Sequence, residues 1–201
     1  MNYHKTQTPQ MNSNEAADAL GVKFEHSIIS TVNFRNEISI EIKLEQSFEI
    51  LSYCKEKLDF DYLVDITAVD NLGNEPRYEV VYEIYSYQHG YHLRLKTGVT
   101  ESEREAISVV DLWPTANWHE REAYDMLGIT FKGHPDMRRI LMWEGYPYYP
   151  LRKDFPLAGK TSEMPDVAFS EPVPLNGGPF VTSPCSASTD KREPRSREFI
   201  S

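Results

Sequence analysis

Side chains that can ligate a metal or move a proton cluster within the 38 residues from His119 to Pro156, among them His119, Glu120, Glu122, Asp125, His134 and Asp136. The same run, HEREAYDMLGITFKGHPDMRRILMWEGYPYYPLRKDFP, also carries Arg121, Arg138, Arg139, Arg152, Lys153 and Asp154. A zinc hydrolase helix needs a second His four residues after the first, so that both share one face, and position 123 is Ala. Glu122 and Asp125, at i and i+3, could still form a two-carboxylate site. With His119 they define one alternative, a stand-alone metal-dependent hydrolase. Nucleophilic catalysis is poorly served: no Ser has a strand-turn-helix elbow, and Cys185 lies in a tail of unsuitable composition. Gly177 and Gly178 stand beside Pro179 without the strand and helix that a phosphate loop requires.

Mutual pairing and docking account for more of these residues. Glu120, Arg121, Glu122 and Asp125 are expected to face Arg138, Arg139, Arg152, Lys153 and Asp154 across a loop stiffened by Pro135, Pro147, Pro150 and Pro156. Arginine forks grip carboxylates with two prongs, so such a network fixes a loop's shape. Trp143, Tyr146, Tyr148 and Tyr149 supply aromatic anchors of the kind protein interfaces use. His134 and Asp136 complete the expected docking surface. The residues taken alone therefore favour an interface over an active site.

Charge narrows the partner. The chain carries a formal net charge of −10, which argues against nucleic acid and anionic lipid as partners. Between Phe131 and Lys160, however, Lys132, Arg138, Arg139, Arg152, Lys153 and Lys160 outnumber Asp136, Glu144 and Asp154. A basic island on an acidic body suits an acidic protein surface, or pairing within the chain. The two cysteines, Cys54 and Cys185, cannot by themselves hold an iron–sulphur cluster or a structural zinc. Cys54 has helical spacing with Leu51 and Leu58 and is expected to be reduced and buried. No secretory signal opens the chain and no run approaches the ~20 apolar residues of a membrane span. A soluble protein inside the cell is expected, meeting the membrane only through partners.

The elements that must position these residues read as α+β: a mixed, mainly antiparallel sheet with helices packed on one side, then the charged docking loop and an extended C-terminal arm. Residues 1–12 are expected to be a disordered lead, followed by a short helix from Ser13 to Leu20 capped by Ser13 or Asn14. In EISIEIKL, Ile38, Ile40, Ile42 and Leu44 alternate with charged or polar residues, the period of a half-buried strand. Ser47 opens a helix to Leu58. Strands follow over Tyr62–Val69, Tyr78–Tyr85 and Tyr91–Thr97, broken by DNLGNEP at 70–76 and by Gln88–Gly90. Residues 98–116 carry no clear period. Asn117 with Glu120 fits a capping box, so a helix is expected over Trp118–Leu127, ended by Gly128. One domain spans 13–157, with docking at 119–157. From Ala158 to Ser201 six prolines and ten Ser or Thr residues leave little to build a core, and the segment reads as an extended or disordered arm able to lie across another protein.

In order along the chain stand EREAYDMLGI at 120–129, FKGHPDMRRIL at 131–141, WEG at 143–145 and PLRKDFPL at 150–157. This succession resembles the 30-kilodalton-subunit family of respiratory complex I, which in bacteria is a part of NADH-quinone oxidoreductase. The resemblance covers roughly residues 20–157. Two departures stand out: YPYYP at 146–150 looks like a small insertion, and the tail beyond Leu157 does not match the family's usual continuation.

The resemblance implies a subunit with no cofactor of its own, in the peripheral arm of a proton-translocating enzyme. FMN, iron–sulphur clusters and quinone would belong to partner subunits. Its neighbours would be the 49-kilodalton-type subunit that forms the quinone site and the subunit that holds the terminal cluster. It would sit peripherally on the cytoplasmic side of the cell membrane. An equivalent place in a membrane-bound hydrogenase or a ferredoxin-fed complex is a second alternative. At this length the chain is expected to be unfused to the quinone-site subunit.

Overall fold

The computed structural model describes residues 12–160; most of the expected lead and arm, Cys185 and the Gly177–Gly178 pair lie outside the described residues. The first helix, α1 (Ser13–Lys23), is closed by a capping box. The Asn12 side chain accepts from the Asn14 and Glu15 amides, and the Glu15 carboxylate accepts from the Asn12 amide. The cap therefore stands at Asn12, ahead of the expected Ser13 or Asn14, and Asn12 belongs to the folded body. The helix also runs past Leu20, because Ala16 and Leu20 are buried with Phe24 just beyond its end.

Strand β1 (Ile28–Phe34) had no signal in the sequence, for a physical reason: residues 29–34 are exposed on both faces, so no alternation is imposed. Arg35 and Asn36 both take positive φ, 55° and 66°, the two-residue turn that joins a tight hairpin to β2 (Glu37–Ile42). A short turn of 3-10 helix at Leu44–Gln46 leads into α2 (Ser47–Lys57), close to the expected span. Then come β3 (Tyr62–Asp70), β4 (Tyr78–Ser86) and β5 (Tyr91–Val99), an antiparallel meander. The five strands are ordered β1-β2-β5-β4-β3, with β2 and β5 parallel and every other pair antiparallel.

The alternation of β4 decides where the core lies. Tyr78, Val80, Tyr82, Ile84 and Ser86 are buried, while the residues between them are half-buried on the other face. Ile38, Ile40 and Ile42 of β2 and Leu93, Leu95 and Val99 of β5 share the buried face. Ala16 and Leu20 of α1 and Ile50, Leu51 and Cys54 of α2 join them in one core. Each large aliphatic side chain so enclosed contributes ~1.5–3 kcal/mol. Burial pushes the Cys54 thiol far above its ordinary range, which keeps it a protonated, inert apolar group.

Past β5, residues without a clear period form β6 (Glu105–Ile107), and α3 (Ala116–Leu127) returns to β7 (Thr130–Lys132), parallel to β6. The expected cap at Asn117 is not used. Helix α3 starts two residues earlier, from Thr115, with no side-chain cap, and Glu120 points into the body instead of back to its own helix. Gly128 does end the helix, at φ 78°, its amide donating to the Tyr124 carbonyl. Its missing side chain matters twice, because a Cβ there would collide with the Arg152 guanidinium and lie 2.8 Å from the Tyr149 ring. Gly128→Ala should cost about 2 kcal/mol or more, from the left-handed backbone and the displaced loop together. Urea unfolding of the two chains measures it.

Candidate functional site

Helix α3 projects the expected docking residues in different directions, and the loop after β7 is built around one of them. Asp125 is fully buried. Its Oδ2 accepts the amides of three consecutive residues, Ile140 at 3.0 Å, Leu141 at 2.6 Å and Met142 at 2.8 Å. Oδ1 takes the Arg139 guanidinium at 2.6 Å, and the same guanidinium nitrogen donates to the Asp125 carbonyl at 3.1 Å. A segment without regular structure is thereby given four hydrogen bonds to a single carboxylate. This satisfies backbone donors that would otherwise be costly to desolvate.

One turn earlier on α3, Arg121 does the complementary work. Its Nε and Nη2 donate to the carbonyls of Arg138 and Arg139 at 3.1 and 3.2 Å, while its guanidinium lies 5.3 Å from the Trp118 ring centre. Arg152 reaches the end of the helix, where Nε donates to the Leu127 carbonyl at 2.6 Å. Tyr149 is stacked between the Arg139 and Arg152 guanidinium groups, at 5.0 and 4.2 Å. Trp143, Tyr146 and Tyr148 continue edge to face, so YPYYP supplies packing to the loop's interior. Trp143 Nε1, Tyr146 Oη and Arg152 Nη2 are buried without a hydrogen-bond partner among the described residues.

A second clip holds the far end of the loop to the sheet. Asp70, on β3, grips Arg77 through two bonds of 2.9 Å and accepts the Lys153 amide at 2.8 Å. Arg77 is buried and also meets Glu101 at 2.5 Å and Asp154 at 3.3 Å. The Arg77 hydrogen bonds hold the Asp70 carboxyl below the ordinary range. Sequence reasoning missed Asp70, Arg77 and Glu101. The available signal was that Asp70 and Arg77 flank the turn-rich DNLGNEP, where a charged pair can close the turn.

The remaining expected residues divide. Arg138 is exposed and, among the described residues, its side chain pairs only with the exposed Asp136, at 2.8 Å. His134 accepts the Asp136 amide on Nδ1 and lies 3.2 Å from the Asn117 carbonyl through Nε2, which fits a neutral ring with its proton on Nε2. Glu122 is exposed and Glu120 faces away from the loop, so neither joins the arginine network as expected. Lys153 and Asp154 serve the clip at Asp70 and Arg77, the lysine through its backbone.

Glu120 is the other buried carboxylate of α3. It accepts from the Val109 amide and the Ser108 hydroxyl, both at 2.7 Å, and ties the β6–α3 connection to the helix. Burial pushes its carboxyl up to about 7, against the lowering effect of those two bonds. His119 pairs instead with Asp65 on β3, at 2.8 Å. The three side chains of the hydrolase alternative are thus separated: His119 at the sheet, Glu122 toward solvent, Asp125 saturated by the loop. Among the described residues no group of three or more His, Cys, Asp or Glu side chains is placed to hold a metal ion, and no helix is long and apolar enough to cross a membrane.

Residues 40–161, which contain this whole arrangement, match the family described as "Respiratory-chain NADH dehydrogenase, 30 Kd subunit". The chain belongs to that family. A relative from Geotalea uraniireducens, named as the C subunit of an NADH-quinone oxidoreductase, is 46% identical over 151 residues, 75% of this chain and 92% of its own length. The protein of the same name from Geobacter sulfurreducens is 43% identical over 152 residues, 75% of this chain and 94% of the relative. Among solved structures, a trypsin-resistant fragment of Nqo5 aligns with TM-score 0.55 and 28% identity over 60% of this chain and 97% of the fragment. A chain of the membrane-bound sulfane sulfur reductase, an archaeal respiratory membrane complex, aligns with TM-score 0.63 and 25% identity over 72% of this chain and 85% of that one. The 30-kilodalton-subunit fold and its mainly antiparallel sheet are therefore those read from the sequence.

Two substitutions test the carboxylates separately. Asp125→Ala should lower stability by about 3–5 kcal/mol in urea unfolding, since it strands Arg139 and three amides. Glu120 behaves differently because its folded value, about 7, lies above the 4.5 of an ordinary glutamate. Between these two values the folded chain binds a proton that the unfolded chain lacks, so stability falls as pH rises through that window. The loss should amount to about 3 kcal/mol and end above it. Glu120→Gln keeps an acceptor for Val109 and should flatten that slope, as measured by unfolding free energies at about pH 5 and about pH 8.

Proposed function

We propose that this chain is a non-redox scaffold subunit of the peripheral arm of a proton-translocating NADH-quinone oxidoreductase. Its docking loop would hold the subunit that forms the quinone site and the subunit that carries the terminal iron–sulphur cluster. FMN, the clusters and quinone would lie in those partners, and contact with the cytoplasmic side of the membrane would be made through them. The observation that carries this reading is the single carboxylate of Asp125 holding residues 139–142 in one shape. A loop fixed so thoroughly from within presents its outer side chains without an ordering cost on binding. Those outer side chains include Arg138, Leu141 and Leu151, the two leucines 56% and 60% exposed.

The likeness to a sulfane sulfur reductase chain keeps a related membrane complex as the second reading. Identity of 46% to an NADH-quinone oxidoreductase subunit, against 25% to that chain, favours the first.

Arg138 and Arg139, neighbours in sequence, serve different ends, and this supplies the test. Arg139 is bound to Asp125 and shapes the loop, whereas the Arg138 side chain is 69% exposed and its ion pair contributes little to stability. Arg138→Glu should leave the unfolding midpoint unchanged while retention of the chain in the purified complex falls about tenfold or more, with membrane NADH-quinone activity falling in step. Full assembly of the Arg138→Glu chain would overturn the docking role. Recovery of the chain with the subunits of a different donor module would favour the second reading.

A further inference from the structure

The solvent face of the sheet carries an aromatic row that neither the core nor the docking loop uses. At one end of the meander, Tyr62, Tyr85 and His92 stand side by side on β3, β4 and β5, in register across the strands. Tyr87, just beyond β4, folds back onto them. Its ring centre lies 5.3 Å from Tyr62 and 5.1 Å from Tyr85, and Tyr85 lies 4.5 Å from His92. Cross-strand aromatic pairs stabilise a sheet by themselves, which accounts for Tyr62 beside Tyr85. They do not account for Tyr87, which remains 65% exposed although its amide is fastened to Asp61 Oδ1 at 2.9 Å. Tyr62 is also 41% exposed, so the row offers aromatic surface to solvent.

Its rim is acidic. Asp61 borders Tyr87, Glu83 meets both His92 and Arg94, and Glu37, its side chain 67% exposed, lies beyond Arg94. Asp59, half exposed, pairs with His89 in the same turn as Tyr87. The basic groups in the row, His92 and Arg94, are already engaged by Glu83 and Glu37. Ring faces beside carboxylates suit an ammonium or guanidinium group, which the rings attract and the carboxylates neutralise. We propose that the Tyr62–Tyr85–Tyr87–His92 row is a second docking surface, which receives an extended, Lys- or Arg-bearing segment of a partner subunit. The assignment rests on membership of a multi-subunit assembly and is independent of the loop around Asp125.

The test uses the full chain titrated with a short synthetic peptide of alternating Lys and Thr, and with its Glu-for-Lys counterpart, followed by backbone amide shifts. The expected result is saturable shifts confined to residues 59–62 and 85–94 with the Lys peptide and none with the Glu peptide. Tyr87→Ala should weaken binding about tenfold, and Tyr87→Phe, which keeps the ring face, should restore it. Since Tyr87 is mostly exposed outside a strand, its truncation leaves the fold intact; Asp61→Asn gives a second, independent loss of affinity. Shifts spread over the acidic surface, or affinity indifferent to Tyr87→Ala, would overturn the proposal by showing attraction to net charge alone. In the assembled complex the same residues should exchange their amide hydrogens more slowly than in the isolated chain; equal rates would also overturn it.

Discussion

A carboxylate with no access to water organises the half of this protein formed by α3 and the loop after β7. Asp125 is isolated from solvent on α3, and what makes its burial tolerable is the set of donors it collects: three successive amides and a guanidinium. The dependence is reciprocal. Without the loop the charge would be stranded in the interior, and without the charge the loop would have no internal partner for its backbone. The stacked arginines around Tyr149, the Gly128 cap and the clip at Asp70 all follow from bringing that loop against the helix end.

Helix α3 holds chain on two sides in this way. Glu120 fastens the connection that precedes the helix, and Asp125 with Arg121 fastens the loop that follows it. The two carboxylates differ in what surrounds them. Glu120 meets one amide and one hydroxyl and keeps a raised affinity for protons, while Asp125 has a cation and three amides. The helix therefore carries a protonation-sensitive contact on the side of the preceding connection and an arginine-paired carboxylate on the side of the following loop.

Much of this was legible in the sequence wherever a side chain's neighbours are set by period. EISIEIKL and the β4 alternation gave their strands, and Gly128 gave its helix end, because one face of each element is buried and glycine takes a left-handed backbone with the least strain. Strand β1 was hidden because both its faces meet water, so burial imposed no pattern. The charged run was recognised as a network, yet its wiring was not. Arg121 bonds carbonyls instead of carboxylates, and Glu120 looks like a capping residue until its distant partners Ser108 and Val109 are in place. Most of the bonds around α3 pair a side chain with a backbone group, and backbone groups have no letter in the sequence.

The bare outer strand has a consequence of its own. IISTVNF contains no charge and no proline, and Ile29, Val32 and Phe34 are each more than half exposed along an edge whose amides and carbonyls have no strand beside them among the described residues. Such an edge invites pairing with any extended chain, and proteins ordinarily blunt it with lysine, proline or a covering segment. Here a formal net charge of −10 keeps like molecules apart. Repulsion over the whole body thus acts at an edge that the described residues leave uncovered, and high ionic strength screens it.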